Sequence, residues 1–210
     1  MSITNVSRRE FFGTSATLVL GATIPSWAVL PNPVERPVFA PNLYVGIAPD
    51  GVVTVTSHRS EMGQGIRTAI AQIIADELDA DWSKVEVAQA EGDPAYGDQN
   101  TDGSQSIRLF FDILRNAGAT AKTMLREAAA REWGVPVDEV MAADHVISHS
   151  KSGRKAGYGD FARAAAGLPV PEKVATKARS DFRSIGKGIE HVDARDIASG
   201  AAVSGSDVKL

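Results

Sequence analysis

The sequence has no cysteine, which excludes disulfides, thiolate-held iron–sulfur clusters and cysteine nucleophiles within this chain. It has no long basic run, and its formal net charge is -4 at pH 7, so neither nucleic acid nor an anionic membrane surface is an expected partner. It also lacks an apolar stretch that spans a bilayer comfortably: Ala16-Thr17-Leu18-Val19-Leu20-Gly21-Ala22 is too short. What remains is a chain of 210 residues, 43% hydrophobic, long enough for one or two small domains with an ordinary core.

The apolar stretch near the start has a different reading. Ser7-Arg8-Arg9-Glu10-Phe11-Phe12 places paired arginines ahead of it, and Ser26-Trp27-Ala28 offers small residues around a cleavage point. This is the twin-arginine pattern, and it predicts a signal peptide over residues 1–28 and a periplasmic location. An arginine pair ahead of an amphipathic helix is the alternative. Pro31, Pro33, Pro37 and Pro41 then make residues 29–42 an extended linker. The body is expected over 43–167, and 168–210, with little to bury, reads as a connector.

The body is organised around Ser57-His58-Arg59-Ser60-Glu61-Met62-Gly63-Gln64-Gly65-Ile66-Arg67-Thr68. Before this turn, Val52 to Thr56 is almost entirely β-branched, as a strand prefers. After it, Ile66, Ala69, Ile70, Ile73 and Ile74 fall at helical spacing, predicting an amphipathic helix from Ile66 to about Leu78. Gly63 and Gly65 permit backbone angles that a Cβ forbids, and free N–H groups at a helix start can receive an anion. Many such glycine turns only reverse the chain, so the turn alone leaves both readings open.

Leu43 to Ala48 and Val52 to Ser57, joined through Pro49-Asp50-Gly51, read as a hairpin, and Val85 to Gln89 as a third strand. Strand, strand, helix, strand is an α+β order. A long polar loop, Glu91 to Ser106, leads into an apolar stripe (Ile107, Phe110, Leu114, Ala117, Ala121, Met124, Leu125) on a helix ending near Trp133-Gly134. The fold expected is a small mixed β-sheet with these two helices packed on it. Thr101, Ser104 and Ser106 offer hydroxyls at the start of the second helix, another seat for an anion; alternatively Ser104 or Asp102 merely caps that helix. His145 and His149 flank a small hairpin, and Tyr158 to Ala166 reads as a short helix. At about 3.3 Å per residue the two histidines lie roughly 13 Å apart on one strand, too far to share a metal ion, so they read as surface or hairpin residues.

Asp50-Gly51-Val52-Val53, Glu61-Met62-Gly63-Gln64-Gly65 with Thr68 and Gln72, Glu77-Leu78, Val85, Asp93, Gly103-Ser104-Gln105-Ser106, Arg115, Gly118, Ala119 and Tyr158-Gly159 together resemble the molybdopterin-binding region of the xanthine dehydrogenase/aldehyde oxidase family, in its exported isoquinoline 1-oxidoreductase beta-subunit type. The resemblance implies a molybdenum centre on a pterin, in its cytosine dinucleotide form, that hydroxylates an aldehyde or N-heterocycle. It implies that Gly63, Gln64 and Gly65 contact the pterin and its phosphate end, and that Thr101, Gly103, Ser104 and Ser106 hold the dinucleotide from the other side. It further implies an iron–sulfur subunit as partner, and admits a cytochrome acceptor.

The chain departs from that pattern in three respects. Gln105 and His191 stand where arginine is usual. The family's catalytic glutamate lies near the end of a much longer chain and has no counterpart before Leu210, so Glu61 is not assigned as a base and no catalytic or metal-ligating residue is assigned here. The expectation is therefore the cofactor-cradling part of a split enzyme, inactive alone, with a large partner supplying the glutamate. The alternative is a non-catalytic binding protein or a truncated fragment that keeps the domain's shape.

Overall fold

The structure is a computed structural model and describes residues 37–203 and residue 207. The expected signal peptide and most of the expected linker lie outside the described residues. Among these residues, no helix is long and apolar enough to cross a membrane.

Strands β1 (Val45–Ile47) and β2 (Val53–Ser57) form the expected antiparallel hairpin, with Val45 opposite Val55. The turn uses Gly51 at φ 91°, and Asp50 Oδ1 accepts the Val52 N–H at 2.9 Å. Helix α1 (Ile66–Leu78) then carries the chain over the sheet to β3 (Val85–Gln89), which lies parallel to β2 from Val53↔Val85 to Ser57↔Gln89. A parallel pair needs such a crossover, and here the helix supplies it. The sheet order is β1-β2-β3. Phe39, inside the stretch expected as linker, is buried and bridges Ile47, so the body begins earlier than its pattern suggested.

Helix α2 (Ser106–Trp133) packs across α1 and is stopped by Gly134, whose φ of 66° is left-handed. Leu114, Leu125, Ile70, Ile74 and Leu78 are wholly buried between helices and sheet. The two helices approach so closely at Gly118 that a Cβ there would lie 2.5 Å from the Ile74 carbonyl oxygen.

A second sheet, antiparallel and ordered β4-β5-β6, follows: β4 (Val140–Ala143), β5 (Val146–His149) and β6 (Arg154–Gly157), then helix α3 (Tyr158–Ala166). The α+β class holds, but with two small sheets where one was expected. Tyr158 fixes α3 to α1 by donating to the Leu78 carbonyl at 2.6 Å. The histidines of the hairpin are not surface residues. His145 is 3% exposed and stacks on Tyr158 with its Nε2 at 2.9 Å from the Gly51 carbonyl. His149 is 4% exposed, between Glu139 (2.9 Å) and Ser152 (2.7 Å). Each ring is buried because it finds polar partners locally, which is the condition for burying such a group.

Beyond α3 no described side chain is fully buried. The backbone, however, is captured. Asp76 Oδ2 accepts the N–H groups of Arg183, Ser184 and Ile185 at 2.9, 2.6 and 2.9 Å. Gln72 donates to the carbonyls of Ser184 and of Lys187, and Thr68 accepts the Val192 N–H at 3.0 Å. Thr68, Gln72 and Asp76 are spaced i, i+4, i+8, one row along α1. A short helix, α4 (Ala194–Ser199), ends the described tail.

Candidate functional site

The glycine turn between β2 and α1 is built by Glu61. Its Oε1 accepts the N–H groups of Gly63 (2.8 Å) and Gly65 (2.9 Å), and its Oε2 that of Arg67 (3.1 Å). Gly63 and Gly65 take φ 94° and 84°, the left-handed region in which glycine is at ease. Burial alone would raise the Glu61 pKa, but the Gly65, Arg67 and Gly63 N–H groups and His191 hold it below the usual range. The seat for an anion expected at the start of α1 is thus taken by the chain's own carboxylate.

The start of α2 differs. Neither Ser104 nor Asp102 caps it with a side chain, and its first turn carries no acidic residue. Ser104 is itself left-handed, at φ 56°, directly after Gly103 at φ 51°. The side chain of Gln105 folds back, so that a Cβ on Gly103 would lie 2.8 Å from its Nε2.

A cleft of ≈ 480 Å³ opens between these two starts. Gln64 and Gly65 line one wall; Thr101, Gly103, Ser104 and Ser106 line the other, with Asp102. Met62, Ile66, Ala69 and Ile107 supply its apolar surface. Six of the seven residues singled out from sequence therefore share one cleft. Gly63 does not: it lines a second cavity of ≈ 850 Å³ with Ser60, Glu61 and Arg67, and its role is to shape the turn.

His191 covers the turn from behind, its Cδ2 lying 3.6 Å from where a Cβ on Gly65 would sit. With Glu61 and Asp193 it forms a group whose ligand-type atoms lie within 4.8 Å of one another. Its hydrogen bonds tie the group to its neighbours, while His191 Nε2 and Asp193 Oδ2 are buried without a hydrogen-bond partner. The Asp193 N–H donates to His191 Nδ1 (3.1 Å), which leaves the ring proton on Nε2, 3.6 Å from Glu61, and Arg67 holds Asp193 Oδ1 at 2.6 Å.

Under the turn lies a group that the sequence did not single out. His58 is 1% exposed, tilted against Phe110 and stacked on Tyr96, and neither of its ring nitrogens has a hydrogen-bond partner. Burial, reinforced by Arg59 and opposed by Asp98, lowers its pKa to about 4. Asp76 shifts in the same sense by a different balance: burial would raise it, but the N–H groups of Ile185 and Ser184 and the Lys177 ammonium bring it to about 2.

Both shifts fix a pH dependence. Between pH 6.5 and about 4 the unfolded chain protonates His58 while the folded chain does not, so stability falls with pH across that window, by roughly 3 kcal/mol from a pKa difference of about 2.5 at 1.36 kcal/mol each. His145, also lowered chiefly by burial, adds in the same direction. Asp76 contributes stability above 3.8 that is lost as pH falls through about 2. Urea unfolding at intervals from pH 7 to 3 should show the first loss in the parent and a smaller one in His58→Phe. An equal slope in both would exclude His58 as its source.

An α+β body with a polar-walled, apolar-floored cleft between two helix starts is the architecture of a cofactor-binding domain. The chain belongs to the molybdopterin cofactor-binding domain family, whose profile matches residues 16–207. It is 37% identical over 221 residues to a membrane-bound aldehyde dehydrogenase (pyrroloquinoline-quinone) of Gluconacetobacter polyoxogenes, covering 98% of this chain and 28% of that protein. It is 33% identical over 250 residues to the isoquinoline 1-oxidoreductase subunit beta of Brevundimonas diminuta, covering 98% and 32%. The chain thus spans about a third of these relatives or less. Among solved structures, quinoline 2-oxidoreductase from Pseudomonas putida 86 aligns over 66% of this chain and 19% of its own, at 22% identity and a TM-score of 0.45. The family resemblance read from Glu61-Met62-Gly63-Gln64-Gly65 and the second helix start is borne out.

Proposed function

We propose that this chain forms the molybdopterin-binding wall of an exported molybdenum hydroxylase that oxidises an aldehyde or an N-heterocycle. The observation that carries the reading is the single cleft joining Gln64 and Gly65 to Thr101, Gly103, Ser104 and Ser106. Its donor set suits the group: hydroxyls, an amide and backbone for phosphate and pterin edges, and apolar side chains for a flat ring. Because Glu61 already fills the start of α1, the phosphate end belongs at the uncapped start of α2, against Ser104 and Ser106. Gln64 and Gly65 then face the ring end. When bound, the group supplies the redox metal for hydroxylating carbon with oxygen from water.

The names of the relatives, which include an aldehyde dehydrogenase and an isoquinoline oxidoreductase, support the substrate class. The remaining expectations stand in the same proposal. They are a cytosine dinucleotide form of the cofactor, a large partner carrying the catalytic glutamate, an iron–sulfur subunit with a cytochrome as further acceptor, and twin-arginine export to the periplasm. The signal peptide occupies 1–28, a linker follows from 29, the domain, expected over 43–167, begins by Phe39, and a connector fills 168–210.

The test is co-expression, in a molybdenum-supplied host, with the polypeptide that corresponds to the unmatched remainder of the relatives. Gly65→Val strains a left-handed position and sets a side chain against His191, displacing the turn that forms one wall of the cleft, and should lower molybdenum retained per folded chain by about tenfold, equivalent to about 1.4 kcal/mol of binding. Gln105→Ala, which does not line the cleft, should retain the parent's content. Equal retention in both variants would show that the glycine turn does not hold the cofactor, and a parent recovered free of molybdenum would make the chain a non-catalytic binding protein.

A further inference from the structure

The guanidinium of Arg59 is the largest wholly buried side chain among the described residues, yet its Nε and Nη2 have no hydrogen-bond partner. Its nearest carboxylate, Asp98, is 3.6 Å away and 43% exposed, and Phe110 lies under the guanidinium carbon at 4.7 Å. The neighbouring His58 is neutral and gives the charge nothing. A desolvated cation with two idle donors and one distant, solvated counter-charge costs stability more than it supplies.

What Arg59 does hold is a backbone. Its Nη1 donates to the Asn100 carbonyl, between two further ties: Gln99 Nε2 to the His58 carbonyl at 3.4 Å, and Thr101 Oγ1 to the Ser60 carbonyl at 3.0 Å. Residues 58, 59 and 60 are thereby stitched in turn to 99, 100 and 101. The first strand of that stitch runs directly into the glycine turn, the second into Gly103 and Ser104, so it sets the distance between the two walls of the cleft.

We infer that Arg59 is a positioning residue that fixes the spacing of the cleft walls at the expense of the domain's stability. The importance of that spacing for the cofactor rests on the function proposed above; the spacing itself does not. A planar, forked donor suits the task, since it reaches a carbonyl while its carbon stays over the Phe110 ring.

The experiment is amide hydrogen exchange and thermal unfolding on the full, cofactor-free chain and its Arg59→Met and Arg59→Lys variants. In Arg59→Met the amides of Asn100, Thr101 and Gly103 should exchange at least about tenfold faster while those of α2 keep their protection. Its Tm should equal or exceed the parent's, because a buried, half-paired charge has gone. Arg59→Lys should loosen the same amides. A Tm lowered by more than about 4 °C in Arg59→Met would mark Arg59 as an ordinary structural residue and overturn the inference. Unchanged loop exchange in Arg59→Met, or parent-like exchange in Arg59→Lys, would overturn it equally. Molybdenum retention in the co-expressed complex separates the two readings. Faster loop exchange with retention equal to the parent's would leave the role of Arg59 standing and remove the cofactor from this cleft.

Discussion

Gly118→Val should cost this domain about 3 kcal/mol or more, seen as a fall in Tm of roughly 6–12 °C for a domain of this size. Gly118 sits where α2 crosses α1, and a Cβ there would stand 2.5 Å from the Ile74 carbonyl oxygen and 3.0 Å from Glu77 Cβ. The first obstacle is helix backbone, which cannot swing aside as the end of a side chain can. The helices must separate, and the shared core of Ile70, Ile74, Leu114 and Ala121 loses its close packing. Gly92→Ala, with nothing within 4 Å of its Cβ, is the control and should change stability by no more than about 0.5 kcal/mol. Thermal unfolding followed by circular dichroism decides the matter. Matching curves for Gly118→Val and Gly92→Ala would mean the helices do not cross as closely as described.

Arg115→Met should be destabilising by about 3–5 kcal/mol, and the double variant with Glu77→Leu should recover most of that loss. Glu77 is wholly buried, and Arg115 Nε meets its Oε1 at 2.6 Å while the Lys177 N–H reaches Oε2 at 3.0 Å. Removing the arginine strands a carboxylate in the interior with one backbone donor. The guanidinium carbon also lies 5.5 Å and 5.0 Å from the Phe111 and Phe182 ring centroids, so methionine, which keeps the length of the stem, removes the ion pair together with these cation–π contacts. A denaturant-based double-mutant cycle is the measurement. Additive losses, with no recovery in the double variant, would show that the two residues do not act as a pair.

The parts of the fold that were legible in the sequence are those with a strong period. Ile66, Ile70, Ile73 and Ile74 placed α1, and the alternation of Val85 and Val87 placed β3, both at the observed limits. Val140–Ala143 was missed because two alanines and a methionine in four residues carry little strand preference. In the site, hydroxyls and glycines at two helix starts were enough to find six residues of one cleft. The role of Glu61 was not, since a carboxylate two, four and six residues ahead of its donors resembles no common capping pattern. A search for an acid just before a glycine turn would have found it. Arg59 and His58 gave no sign at all: a basic pair after a strand looks like solvent-facing surface, and only the tertiary packing of Phe110 and Tyr96 encloses it.

The row Thr68, Gln72, Asp76 grips peptide groups of the tail and, apart from the Ser184 hydroxyl and the Lys177 ammonium, asks nothing of its side chains. Main-chain amides and carbonyls are common to nearly every amino acid, proline's missing donor being the exception. Between 183 and 192 the path is therefore set by main-chain bonds, and the positions open to replacement are those other than Arg183, Ser184, Ile185 and His191, whose side chains meet Asp144, Asp76, the core and the glycine turn. Two sequences that agree in the helix row and at these four positions describe the same structure there.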